Sequence, residues 1–379
     1  MRAAGLQLGH SANDAELKNA VRLLGESGAF TAVSYTSQFD PDGTKVELQL
    51  QDAERFFPVH FENVVWFSNR ELLEKLQAAV PLFKGELPSN GEMAGEVSEA
   101  LQVLLIQKNV PGEVDYLRPG ENDRSMAAFL FSVSGPSITI RNTLFSGAGP
   151  QELPLLTAVA KGLQDQEYLS PAIRTLENKA FLPIYQEHGY LKAVLGDPEP
   201  RVVQSEGRDT LVDLTFPIDP GRQYKLDTIK ISGNKAFPED TLRAAIRLES
   251  GQVANALEFE KGIAAIRQLY GTRGYMGADV QVQAQLDDAR STVAYAVAIV
   301  EGDVYKMGEV EIRGLDSRTT ARLQNDWTLR AGDIYDASYV GRFVQQAYKE
   351  IGEWHVSVHE SIDPHDKTVD VTVRFDPNS

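Results

Sequence analysis

About every eighty residues this chain restarts the same phrase, and that repetition constrains its fold more than any other feature. The phrase reads FENVVWFSN from Phe61 to Asn69, IRNTLFSGA from Ile140 to Ala148, LDTIKISGN from Leu226 to Asn234 and MGEVEIRGL from Met307 to Leu315. Each is a short alternating run closed by a turn residue, which is the pattern of a strand. Internal repetition at a fixed period means an array of small units that bury their apolar faces by stacking. For such a chain the question is what a string of like modules holds, rather than where one active site lies.

The sequel to each restart is also the same. Apolar residues at spacings of three and four predict a helix over Asn69–Phe83, Pro150–Gln164, Pro238–Leu248 and Ser317–Leu329. A second and better marked helix is expected over Glu92–Lys108, Ser170–His188, Ala256–Arg273 and Ala337–Gly352. Two alternating stretches close the unit, the last being SMAAFLFSVS from Ser125, DTLVDLTFPI from Asp209, STVAYAVAIV from Ser291 and KTVDVTVRF from Lys367. The unit is therefore β-α-α-β-β. Its last strand is the most continuously apolar, which suits a strand with neighbours on both sides. The penultimate strand joins it by a hairpin and becomes an edge, and the first strand reaches its other side after the helical pair crosses one face. The fold class is α+β: a tandem array of three-stranded mixed sheets, each with two helices on one face.

These boundaries divide the chain into a partial module at 1–56 and full modules at 57–134, 135–219, 220–302 and 303–379. In the first, Ser11–Phe30 matches the second helix, Thr31–Phe39 the penultimate strand and Thr44–Leu50 the last. Either Met1 falls inside a cut repeat or the amino-terminal module is degenerate, and the first is favoured because half a module buries its helix poorly. Pro377–Ser379 follow directly on a last strand.

Composition narrows the function. The 54 acidic residues exceed the 37 Lys and Arg by 17, a net charge of −17. Nucleic acid is not expected as a partner on this ground, because binding it requires cations that neutralise phosphates. The absence of cysteine removes disulfides, thiolate metal sites and thiol nucleophiles together. No apolar run approaches the roughly 20 residues of a membrane helix, and Met1–His10 lacks the apolar core of a signal peptide.

Catalytic chemistry is not expected. His355 and His359 are four apart, but HVSVHESI alternates as a strand, which separates the two rings by roughly 13 Å. His10, His60, His188 and His365 are scattered through different modules. The turns at Ser146–Gly149 and Ser232–Lys235 lack phosphate-loop spacing. With no converging acid, base and nucleophile, neither an enzyme, a metal site nor a cofactor is read here.

Two sets of residues stand out. The second helix ends repeatedly in glycine followed by an aromatic: Gly28 with Phe30, Gly189 with Tyr190, Gly274 with Tyr275 and Gly352 with Trp354. Glycine accepts the left-handed conformation past a helix end, and the aromatic is expected to fold back as a core plug. The KNVP run at Lys108–Pro111 departs from this pattern, so that helix is expected to end through Asn109. The other set is the edge strands, which proteins usually blunt with charge, proline or a bulge. Val280, Gln281, Val282, Gln283, Ala284, Gln285 and Leu286 form a seven-residue run with none of these. Val33, Ser34, Tyr35, Thr36, Ser37, Gln38 and Phe39 form a second, whereas Val114–Arg118 carries charges and Asp197–Pro200 prolines. An open edge accepts an extended peptide as an added strand, with backbone hydrogen bonds supplying affinity and little sequence selectivity.

The junctions IVEGDVYK (Ile299–Lys306) and DPGRQYKL (Asp219–Leu226), each followed by an alternating strand and a Gly turn, resemble POTRA domains, as does RQLYGTRGY from Arg267 to Tyr275. The likeness is most specific from Pro217 to Phe375 and rests on periodicity alone before Val133. It implies the periplasmic arm of an outer-membrane assembly protein of the kind typified by BamA and TamA. Implied partners are unfolded outer-membrane protein clients, accessory assembly lipoproteins and a membrane β-barrel following this region. The alternative is a structural spacer arm of a two-partner-secretion or chloroplast-import type transporter, and peptide binding separates the two.

Overall fold

A computed structural model describes residues 2–7, 10, 12–40, 43–120, 127–352 and 354–376. Met1, Ser11, Ser125, Met126 and Pro377–Ser379, named above, lie outside the described residues. The chain divides into two compact units, Met1–Leu182 with Val194–Asp219, and Pro183–Ala193 with Pro220–Ser379.

In the first unit, α1 (Asp14–Glu26) is started by a reciprocal cap in which the Asn13 side chain accepts the Glu16 amide and the Glu16 carboxylate accepts the Asn13 amide. It packs on an antiparallel pair, β1 (Phe30–Asp40) and β2 (Gly43–Asp52). The next repeat runs β3 (Phe56–Phe61), α2 (Asn69–Ala79), β4 (Glu86–Pro88), α3 (Met93–Gln107), β5 (Glu113–Leu117) and β6 (Phe129–Ser134), in sheet order β4-β3-β6-β5. After it come β7 (Ser137–Ser146), α4 (Leu153–Ala160), α5 (Ser170–Leu176), β8 (Val194–Leu195), β9 (Glu199–Glu206) and β10 (Asp209–Asp219), while α6 (Leu182–Glu187), between α5 and β8, belongs from Pro183 onward to the second unit. Here β10 pairs in parallel with β7 and antiparallel with both β8 and β9.

The second unit holds two further repeats. β11 (Lys225–Ser232), α7 (Glu239–Ile246), α8 (Ala256–Gly271), β12 (Asp279–Asp287) and β13 (Thr292–Val300) give a sheet in the order β11-β13-β12. β14 (Lys306–Arg313), α9 (Ser317–Asp326), α10 (Tyr339–Ile351), β15 (His355–Asp363) and β16 (Thr368–Asp376) repeat it as β14-β16-β15.

The last strand of each unit is central, as its apolar run implies. Val293, Tyr295, Val297 and Ile299 of β13 alternate into a core shared with Leu242 and Ile246 of α7 and Phe259, Ile263, Ile266 and Tyr270 of α8. Val369, Val371, Val373 and Phe375 do the same in β16. The opposite face of β13, with Ala296 and Ala298, stays exposed, so both helices lie on one side of the sheet.

Glycine fixes the turn out of the first strand. At Gly147, Gly233 and Gly314 a Cβ would stand 2.1, 2.0 and 1.9 Å from the carbonyl oxygens of Ile218, Ile299 and Phe375, the ends of the three central strands. The second repeat solves the same junction differently, because the expected strand at Phe61–Asn69 is not one. β3 ends at Phe61, and the Asn63 side-chain amide then imitates backbone, bonding both the N–H and the C=O of Val133 at 2.8 Å. Its alternation therefore marks a loop.

Three more expectations are corrected. The second repeat carries a fourth strand, because Glu86–Pro88 returns along the outer side of β3. The edge beside β10 is split in two between Leu195 and Glu199, where Pro198 lacks the N–H that a continuous ladder needs. The single helix expected over Ser170–His188 is interrupted by a π turn at Glu177–Phe181. Pro183 has no N–H and its ring crowds the carbonyl four residues back, and the wider turn accommodates it.

Candidate strand-docking edge

The helix α8 is started by Asn255, whose side chain accepts the Glu258 amide at 2.9 Å, and it lies over β12 through a core that includes Val280. β12 pairs with β13 along its whole length, Asp279 with Val300 through Asp287 with Thr292, and among the described residues no strand lies on its outer side. One contact fixes which backbone groups face outward. Arg267 of α8 donates from its guanidinium to the Val280 carbonyl at 3.0 Å, so that carbonyl points away from β13. In a strand the outward groups alternate, so the N–H and C=O of Val282, Ala284 and Leu286 face outward too, while those of Gln281, Gln283 and Gln285 bond to β13.

Side chains follow the same parity. Val280 is buried, but Val282 is 38% exposed and Ala284 is exposed as well, so the middle of the helix-side row lies open beside the outward backbone groups. The three glutamines stand exposed on the helix-free face. There the small side chains of Ala294 and Ala296 leave a shallow trough of about 730 Å3, flanked by Gln283 and Gln285 on one side and Thr228 and Lys230 on the other. Charge is confined to the strand's ends. Asp279 accepts from the Gln281 side-chain Nε2 at 2.8 Å, and Asp287 pairs with Arg290 at 2.7 Å, which holds its carboxyl below the usual range.

The second candidate sits in a different setting. Val33–Phe39 lies within β1, whose sheet has only two strands, so β1 and β2 are both edges and nothing in the pairing singles out β1. Val33 and Tyr35 are half-buried, and the Tyr35 hydroxyl donates to Asp14 of α1 at 2.7 Å. Two edges are occupied or awkward. The Gln102 side chain of α3 bonds the Gly112 carbonyl at 3.0 Å and the Val114 amide at 2.9 Å, covering the start of β5. The β8–β9 edge is broken between Leu195 and Glu199, where Pro198 lies.

β15 is an edge that the sequence reading passed over. It pairs only with β16, and Val358 and Ile362 on its helix side are exposed. The alternation of HVSVHESI, which separates its two histidines, is also the pattern of a docking edge. His355 and His359 both lie on this strand. Among the described residues no group of three or more His, Cys, Asp or Glu could hold a metal ion, and no helix is long and apolar enough to cross a membrane.

The glycines at the helix ends take positive φ: +77° at Gly28, +78° at Gly189 and +80° at both Gly274 and Gly352. Asn109, at +55°, occupies the corresponding place after α3. The aromatics that follow are half-buried rather than sealed in. Tyr190 and Tyr275 stand edge-on to Tyr185 and Tyr270 at 5.9 and 5.6 Å, and it is Tyr185 and Tyr270 that are fully buried. Phe30 and Trp354 are half-buried as well, the Trp354 ring N–H donating to the Ile351 carbonyl at 3.3 Å.

Residues 224–302, which contain this edge, match the family described as POTRA, surface antigen variable number repeat. A putative outer membrane protein assembly factor of Treponema pallidum (strain Nichols) is 28% identical over 155 residues, 41% of this chain and 18% of that protein. The outer membrane protein assembly factor BamA of Neisseria meningitidis serogroup B is 22% identical over 184 residues, 44% of this chain and 23% of that protein. The matched stretch thus spans about a fifth of the length of either relative. The crystal structure of Haemophilus influenzae BamA POTRA3-5 aligns with a TM-score of 0.49 at 17% identity, covering 64% of this chain and 96% of that one. Residues 224–302 thus match a POTRA repeat, and the chain is similar in sequence to outer-membrane protein assembly factors.

Proposed function

We propose that this POTRA array is the periplasmic receiving and scaffold region of an outer-membrane β-barrel assembly machine. It holds unfolded outer-membrane polypeptides as strands added to β12 and presents them to a membrane β-barrel that the longer protein carries, with accessory lipoproteins docking on other modules. The observation that carries this reading is the outward row of β12. Val282 and Ala284 offer backbone donors and acceptors to solvent with exposed apolar side chains beside them and no charge or proline between Asp279 and Asp287. A strand of alternating apolar and polar residues fits that surface, and such alternation is what a barrel strand has.

A spacer arm is the second reading, and the backbone-bonded junctions of the second unit favour it. The two differ in peptide binding. In NMR titrations with an alternating valine–threonine peptide, the Val282 and Ala284 amides are expected to shift at high micromolar to millimolar peptide, since one short strand buries little area. Ala284→Pro removes an outward donor and leaves the β13 ladder intact, so it should abolish those shifts with the fold retained. Absence of any shift along β12, β1 and β15 at millimolar peptide would leave the spacer.

A further inference from the structure

α3 and α8 end alike, and the likeness aligns their residues. The Val110 amide bonds back to the Leu105 carbonyl at 3.0 Å, and the Tyr275 amide to the Tyr270 carbonyl at 3.2 Å. Three residues before Leu105 stands Gln102, and three before Tyr270 stands Arg267. Both side chains reach across to the outward backbone of their own edge strand, and they do so with different chemistry.

Gln102 carries a donor and an acceptor, and it uses both. Its Nε2 donates to the Gly112 carbonyl and its Oε1 accepts the Val114 N–H. These are the two groups that an added strand would need, and the Ser98 hydroxyl, one turn earlier, lies 3.5 Å from the Val114 carbonyl. A guanidinium has donors only. Arg267 therefore satisfies the Val280 carbonyl and cannot satisfy an outward N–H, which leaves the Val282 amide to solvent or to an incoming carbonyl.

Resting on the receiving-edge reading above, we infer that this one helical position gates the edge strand in these two repeats. A glutamine there closes the edge by imitating the first residue of an added strand, and an arginine leaves it open. The occupant is an extended segment of a partner polypeptide, which takes the Val282 and Ala284 backbone groups. The remaining N–H groups of Arg267 lie at the Val280 end of the added strand, where they favour a carbonyl or carboxylate on it.

The experiment uses the whole chain, an alternating valine–threonine peptide with lysine ends as probe, and backbone amide shifts as readout. In the unmodified chain the peptide should shift Val282 and Ala284 and leave Val114 unmoved. Arg267→Gln should weaken binding at β12 by about tenfold, the fold-change that one to two hydrogen bonds carry. Arg267→Ala, which supplies no acceptor, should keep it within about twofold. Gln102→Ala should create peptide-dependent shifts at Val114, a gain that structural damage does not produce. Binding at β12 that is equal in Arg267→Gln, with nothing gained at Val114 in Gln102→Ala, overturns the gate and leaves the receiving edge standing. No peptide-dependent shift in any of these chains overturns the receiving edge, and the gate with it.

Discussion

The carbonyl of Gly274 accepts the Tyr305 amide at 2.8 Å, and the Tyr305 carbonyl in turn accepts the Tyr335 amide at 3.0 Å. The same relay recurs one repeat earlier, where Gly189 accepts from Tyr224 at 2.8 Å and Tyr224 from Ala254 at 2.9 Å. A helix end, the start of the next first strand and the segment before the next second helix are thus joined by backbone hydrogen bonds. Glycine is required at the helix end for two reasons: its φ of +80°, and a Cβ that would stand 2.5 Å from the Tyr305 oxygen.

Gly274→Ala therefore combines strain with collision. Strain at positive φ costs upwards of about 1 kcal/mol, and Gly332, with φ +89° and nothing within 4 Å of its would-be Cβ, isolates that part. Gly274→Ala should destabilise the chain more than Gly332→Ala in urea denaturation. It should also speed hydrogen exchange at the Tyr305 and Tyr335 amides before that at Val297. Equal losses in the two variants would mean that the close approach is not what holds the junction.

The aromatic pair at the end of α8 divides its labour. Tyr270 is 0% exposed, stands edge-on to Phe237 at 5.0 Å, and donates its hydroxyl to Glu301 at 3.0 Å. Burial and the Glu301 carboxylate together push that phenol well above its ordinary range. Tyr270→Ala should cost about 3 to 5 kcal/mol, as truncation of a buried aromatic does. Tyr275→Ala, at the half-buried ring, should cost clearly less, and Tyr270→Phe about 1 kcal/mol, because Glu301 keeps the Ala236 amide at 2.7 Å. A loss in Tyr275→Ala as large as that in Tyr270→Ala would return the plug role to Tyr275.

What was legible in the sequence was what depends on pattern. The β13 and β16 runs announce central strands because every second residue must enter a core, and the helix-end glycines announce themselves because positive φ admits few other residues. Parity within an edge strand was not legible. By sequence alone Gln283 is the natural site for a blocking proline, being mid-strand, yet its N–H bonds to β13 opposite Ala296, and the outward donor belongs to Ala284. Only the Arg267–Val280 contact fixes that choice, and it joins residues that nothing in the spacing associates. Asn63 misled for a related reason: its side chain copies a backbone ladder, so the hydrogen-bond pattern continues past Phe61 after the strand itself has stopped.

Glu177 gives the chain a pH dependence of unusual sign. It sits in the π turn between α5 and α6, 7% exposed, with no hydrogen-bond partner on its Oε1. Burial first, and then the negative charge of Asp197, push its carboxyl up to about 7, and Arg174 offsets only part of this. Unfolded, the same group titrates near its ordinary 4.5. Between those values the folded chain holds a proton that the unfolded chain has released, so stability falls as pH rises through the window and levels off above it. The full loss is of order 3 kcal/mol at most, since one pKa unit corresponds to about 1.4 kcal/mol. Carboxylates held low by partners act in the opposite direction and below the window, as does Asp213, which is buried between Arg141 at 2.7 Å and Arg201 at 3.2 Å. Urea denaturation at pH 5, 6, 7 and 8 should show the unmodified chain losing stability relative to Glu177→Gln, with most of the change complete by pH 8. A difference between the two chains that stays flat from pH 5 to pH 8 would mean that Glu177 is ionised in the folded state throughout, with water or a shifted Arg174 reaching it in the π turn.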